Sequence, residues 1–169
     1  RFGELLSADA RDGVAAIQLR AANGALGNLS VRKEAESVHF SFSTQAAKNS
    51  MVLPIACDPE GSFHGFGEQY NATEQTGEAF TLLVSEQGIG RDGESWFFSG
   101  DSHTSYFPMP WYLDARGFGV LLETDYRVEA EICASDADRA ELEVVGDGVL
   151  EWRVFLGPTP KDVIRQLGD

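Results

Sequence analysis

The sequence predicts an all-β domain, an antiparallel β-sandwich with one short C-terminal helix. Three observations predict it. Apolar and polar residues alternate with period two through much of the chain. Turn signals built on glycine, asparagine and aspartate separate the alternating runs. Only the C-terminal stretch changes to helical chemistry.

The strands follow in chain order. "VAAIQLR" near the start is a strand with imperfect alternation. In "SVHFSFS", Val38, Phe40 and Phe42 oppose His39, Ser41 and Ser43, which places His39 on a solvated face. "GFGVLLET" near residue 120 is a second imperfect strand. In "VEAEI", Val128, Ala130 and Ile132 face inward while Glu129 and Glu131 face water. In "AELEVV", Leu142 and Val144 oppose Glu141 and Glu143. In "LEWRVFL", Leu150, Trp152, Val154 and Leu156 oppose Glu151 and Arg153. Turns fall at Asn23-Gly24, at 58–61, at Asp92-Gly93, at Arg116-Gly117 and at 146–148. Many short strands at this spacing suggest two packed antiparallel sheets. In "GPTPKDVIRQLG", Thr159 is the N-cap, Pro160 the first helical position, and Asp162 sits near the positive helix end. Gly168 stops the helix, and Val163, Ile164 and Leu167 form its apolar side. Residues 1–157 are thus assigned to the sandwich and 158–169 to the helix.

With 169 residues the chain is long enough for one domain with a real core. Its net charge of -14 leaves no basic face for nucleic acid or for an anionic membrane surface. No run approaches the ~20 apolar residues of a membrane helix. Cys57 and Cys133 lie far apart in isolated contexts and form neither a metal spacing nor a redox pair. Two buried free thiols in a reducing compartment is the expectation, which slightly favours the cytoplasm.

The stretch 64–91 holds three Glu-Gln pairs between two Gly-x-Gly sequences: Glu68-Gln69, Glu74-Gln75 and Glu86-Gln87, with Arg91 at its end. Neither Gly-x-Gly completes a phosphate-binding or dinucleotide fingerprint, so each is a strand-end turn. Amides beside carboxylates supply donors and acceptors together, as sugar hydroxyls require. Arg91 adds a planar cation suited to an anionic group. Glu68, Gln69, Glu86, Gln87 and Arg91 are therefore the candidate substrate-binding residues. Glu68 and Arg91 could equally fix the loop through internal hydrogen bonds. The middle pair, Glu74-Gln75, is assigned to a solvated turn. The histidines, His39, His64 and His103, show no metal spacing, and nothing resembles a nucleophile elbow, so no metal, cofactor or catalytic residue is assigned. Aromatic residues concentrate at 96–98 and in "YFPMPWYL" at 106–113, where Pro108 and Pro110 interrupt an edge strand. These are either core or a surface for sugar stacking or domain docking.

The order of motifs "FHGFGEQ", "SEQGIGR", "SYFPMPWYLDARGFGVLLET" and "WRVFLGPTPKDVIRQLGD" resembles the N-terminal β-sandwich of family 31 glycoside hydrolases. The resemblance is firm over roughly residues 60–169, and "GEQ…SEQGIGR" looks most like the sulfoquinovosidase branch. It implies a galactose mutarotase-like sandwich that packs on a catalytic TIM barrel of the same chain and lends a loop to the active-site mouth. It also implies a carbohydrate substrate: an α-glucoside, α-xyloside or sulfoquinovoside. In that family both catalytic carboxylates are aspartates on barrel strands. A barrel needs ~250 residues, so no residue here inherits a catalytic role. The alternative is a free-standing carbohydrate-binding or mutarotase-like module.

Overall fold

The computed structural model of the chain describes residues 1–86, 100–146 and 148–168. Its strands are β1 (Phe2–Arg11), β2 (Val14–Ala21), β3 (Leu26–Lys33), β4 (Ser37–Thr44), β5 (Met51–Ala56), β6 (Phe63–Gly67), β7 (Ala79–Leu82), β8 (Pro108–Asp114), β9 (Phe118–Leu122), β10 (Val128–Glu131), β11 (Arg139–Val144) and β12 (Leu150–Leu156). Helix α1 (Pro160–Gly168) follows. Eight strands form one sheet in the order β1-β2-β3-β4-β12-β9-β8-β6, and four form the other in the order β5-β11-β10-β7. All ladders between these strands are antiparallel. The expected sandwich with a short C-terminal helix is the fold observed. No helix among the described residues is long and apolar enough to cross a membrane.

Register explains why alternation was so informative in the smaller sheet. Val128 pairs with Val144 and Leu82, and Ala130 with Leu142 and Phe80, so each apolar set lands on the inner face. All six are buried. The same register places Glu129 opposite Glu143 and Glu131 opposite Glu141 on the outer face. Ser50 donates to Glu143 and Thr81 to Glu129, which partly relieves these like-charge pairs. At the far end of the larger sheet, β1 pairs with β2 through Asp12-Gly13. Both turn residues have positive φ, 52° and 79°. That is the conformation a two-residue hairpin loop demands.

The larger sheet buries apolar residues on both faces at its β8 end, and this corrects the expected pattern in β12. Phe155 is buried, whereas Leu156 is 63% exposed. Phe155 belongs to an outer cluster with Trp111 and Val163, joined by Met109, Leu113, Leu121 and Leu167. Helix α1 lies over this cluster. Adjacent residues of β8 therefore serve different layers: Tyr112 enters the sandwich core and Trp111 packs beneath the helix. The indole lies directly on Gly119, where a Cβ atom would sit 2.1 Å from the ring. Thr159 caps α1 as expected, accepting from the Asp162 N–H at 3.3 Å. Of its apolar side, Val163 is fully buried but Ile164 is 54% exposed.

Two further expectations are corrected. His39 is not solvated: its side chain is largely covered and pairs with Glu123 at 3.1 Å and Glu151 at 4.0 Å. Arg153 also reaches Glu123, at 3.0 Å. The outer faces of β4 and β12 and the residue just after β9 thus share a cross-strand polar network, which one strand's alternation cannot reveal. Cys57 and Cys133 are not free thiols but a disulfide bridging 76 residues of sequence, with Cα atoms 6.2 Å apart. Cys57 follows β5 and Cys133 follows β10. Strand β11 pairs with both, so the ladder brings the two strand ends together. Disulfides persist in oxidising environments, which removes the reason for favouring a reducing compartment.

Candidate functional site

The candidate loop begins at a bulge. Gly65, Phe66 and Gly67 have φ values of 118°, 65° and 82°. Gly65 pairs with Tyr112 but Gly67 pairs with Pro108, so β8 carries extra residues opposite Phe66. Glycine is required on both sides. A Cβ atom at Gly67 would lie 2.2 Å from the Phe107 carbonyl oxygen, and one at Gly65 would lie 2.8 Å from that of Trp111. The bulge drives Phe66 into the core, where its ring centroid is 5.2 Å from Phe80 and 5.7 Å from Tyr112. It sends the next two residues, Glu68 and Gln69, out of the sheet.

Both then meet the segment 101–107. The Glu68 backbone N–H donates to Phe107 O at 3.0 Å, and its carboxylate accepts from the Ser105 hydroxyl at 3.3 Å. The Gln69 amide donates to Phe66 O at 3.1 Å, and its carbonyl oxygen lies 2.8 Å from His103 Nδ1. An amide oxygen only accepts, so that histidine nitrogen carries the proton. The other ring nitrogen lies 3.4 Å from Glu78, and the imidazole stacks on Phe80 at 4.7 Å. Asp101 holds the segment's turn by accepting from the backbone N–H of His103 and the Thr104 hydroxyl. The His103 N–H holds the Asp101 carboxyl below its usual value. Glu86 arrives from the other side: Ser85 N–H donates to Ser105 O at 3.1 Å, and the Tyr106 hydroxyl donates to the Glu86 carboxylate.

The structure thus gathers Glu68, Gln69 and Glu86 around one segment. Gln87, Arg91, the Asp92-Gly93 turn and the aromatic run 96–98 lie outside the described residues. Sequence reasoning missed the residues that position the three: Asp101, His103, Ser105, Tyr106 and Glu78. The only local signal was Asp101 two residues before His103, an Asx-turn spacing. The proline-broken aromatic stretch divides. Tyr106 and Phe107 are 52% and 66% exposed, whereas Trp111 and Tyr112 are buried. Carboxylates beside exposed rings supply acceptors for hydroxyl groups and flat apolar faces for a sugar ring.

The middle pair departs from expectation. Glu74 is exposed, but Gln75 is fully buried. The Gln75 and Asn71 side-chain amides exchange hydrogen bonds at 3.1 and 3.0 Å, and Gln75 Nε2 also donates to Ala72 O. Its backbone N–H donates to Phe63 O at 2.8 Å. Gln75 is an internal brace of the turn, not part of a solvated tip. His64 bonds Ser62 at 2.9 Å and Thr73 O at 3.0 Å, and shares no partner with His103. Among the described residues, no group of three or more His, Cys, Asp or Glu is placed to hold a metal ion.

This geometry is that of an antiparallel β-sandwich whose glycine-bulged strand feeds a polar surface loop. No protein-family profile matches the chain. It is similar to the alpha-xylosidase XylQ of Lactiplantibacillus pentosus, 25% identical over 118 residues, 70% of this chain and 14% of that protein. It is also similar to the sulfoquinovosidase of Escherichia coli (strain K12), 29% identical over 79 residues, 41% of this chain and 12% of that protein. In fold it is similar to a GH31 family sulfoquinovosidase from E. rectale, solved with an aza-sugar inhibitor. That match has a TM-score of 0.73 and 16% identity over 92% of this chain and 24% of the other. The chain therefore spans about a quarter or less of each of these three proteins. It resembles, in sequence and in fold, the N-terminal β-sandwich of family 31 glycoside hydrolases.

Proposed function

We propose that this chain is the N-terminal accessory domain of a larger retaining α-glycosidase. In this reading residues 1–157 form the sandwich, and 158–169 lead into a catalytic TIM barrel of the same protein. The observation that carries it is the pattern of coverage. Relatives that are glycosidases align with 41–85% of this chain but with only 12–19% of their own length. Catalysis belongs to the remainder, and the sandwich alone turns over no glycoside. The substrate is an α-glucoside, α-xyloside or sulfoquinovoside, and no cofactor is used.

Within that frame, the loop bearing Glu68, Gln69, Glu86, Gln87 and Arg91 faces the active-site mouth. The convergence of the first three on segment 101–107, beside exposed Tyr106 and Phe107, supports this. Gln69 has both ends of its amide engaged internally, so it shapes the loop, while Glu68 and Glu86 keep acceptor capacity beyond one bond each. In the parent enzyme, Glu86→Ala and Arg91→Ala should each lower kcat/KM at least about tenfold, the loss expected for one hydrogen bond to a charged group, and Gln87→Ala about two- to tenfold, the loss for a neutral one. Melting temperatures should stay nearly constant. Substitutions that lower stability and spare kinetics would make the loop scaffolding.

A further inference from the structure

The two sheets differ in width, and the mismatch leaves a cleft. Strand β5 is an edge of the four-stranded sheet, while β1, β2 and β3 extend beyond β4 in the larger one. Between them opens a cleft of about 750 Å³. Its size falls within the range of small-molecule sites, ~300–1,000 Å³. The walls are apolar and aromatic: Phe2, Phe42, Met51, Leu53, Leu150 and Trp152. Met51 and Leu150 belong to the sandwich core, so the cleft reaches the interior.

Its charge runs against that of the whole chain. The chain has 27 acidic and 13 basic residues. The described residues that line the cleft nevertheless include Arg1, Lys48 and Arg139 and no Asp or Glu. Arg139 donates to Glu141 through its terminal nitrogen, but its Nε is buried with no hydrogen-bond partner. Lys48 Nζ lies 3.4 Å from Thr44 O, which leaves donors to offer.

We propose that this cleft binds an amphipathic monoanion: a flat or chain-like apolar body between the sheets, with one carboxylate or sulfonate held by Lys48 and Arg139. The site is separate from the Glu68–Glu86 loop and stands or falls independently of the glycosidase reading. The test titrates the 169-residue chain with two fluorescent probes of the same apolar body, 8-anilinonaphthalene-1-sulfonate and uncharged N-phenyl-1-naphthylamine. The sulfonate should bind saturably at one site, at least about tenfold tighter than the neutral probe, as one charge-assisted hydrogen bond implies. Lys48→Met should cut that preference severalfold and leave neutral binding unchanged. Ala46→Trp, which fills the mouth, should abolish both while circular dichroism stays that of the parent chain. Equal affinity for the two probes, unsaturable binding, or a sulfonate preference undiminished by Lys48→Met would each overturn the proposal. If Ala46→Trp does not fold, Lys48→Met decides alone.

Discussion

Replacing Cys57 and Cys133 by serine should cost this domain much of its stability. The bridge spans 76 residues. The loop-closure treatment gives an unfolded-state entropy that amounts to about 4.5 kcal/mol for a loop of that size. Measured values for disulfides cluster nearer 2–4 kcal/mol, because denatured chains retain structure and native geometry is imperfect. Either figure is a large fraction of the ~5–15 kcal/mol that holds a domain together. Location should push the effect toward the upper end. The bridge ties the ends of β5 and β10 across β11, and β5 is an edge strand with only β11 as a ladder partner. The assay is urea unfolding followed by tryptophan fluorescence, comparing oxidised chain, reduced chain and the Cys57→Ser/Cys133→Ser variant. The midpoint should fall by about 1–2 M in the reduced and variant forms. Coincident curves, or a native protein that titrates as two free thiols, would refute the reasoning.

Two paired substitutions test the loop. Gly67→Ala should cost more than about 4 kcal/mol, since it combines positive φ with a Cβ atom driven onto the Phe107 carbonyl. Gly77→Ala, with φ of 88° but open space around it, should cost only about 1–2 kcal/mol. Chemical denaturation reads both, and equal losses would mean that backbone clash plays no part at the bulge. Gln75→Ala should destabilise by about 2–3 kcal/mol, because it leaves buried partners unsatisfied, while Glu74→Ala should change stability by under about 0.5 kcal/mol. The reverse order would restore the solvated reading of that pair.

The sandwich was legible because its smaller sheet is wet on one face. Leu142 and Val144 alternate with Glu141 and Glu143, and every one of these faces the way the period demands. Legibility failed where a strand has two covered faces or where contact depends on register. Phe155 and Leu156 exchanged roles because α1 covers the outer face, a tertiary fact that periodicity in β12 cannot carry. The disulfide was missed for the same kind of reason: Cys57 and Cys133 meet only because β11 pairs with two strands. At the site, the Gly65–Gly67 pattern announced a tight turn, but the sequence could not show that Gln75 is buried. A glutamine in a polar stretch looks solvated unless its partner, here Asn71, is seen across the turn. His39 is the same lesson on a sheet face, since Glu123 and Glu151 come from other strands or their ends.

The central claim is that this sandwich serves a catalytic barrel that it does not contain. The most direct measurement assays the 169-residue chain and its full parent protein side by side against 4-nitrophenyl α-glucoside, α-xyloside and α-sulfoquinovoside. The account predicts turnover of at least one by the parent and none by the chain alone. Hydrolysis by the purified chain that persists through removal of contaminants, or a parent protein inert toward all three, would contradict it.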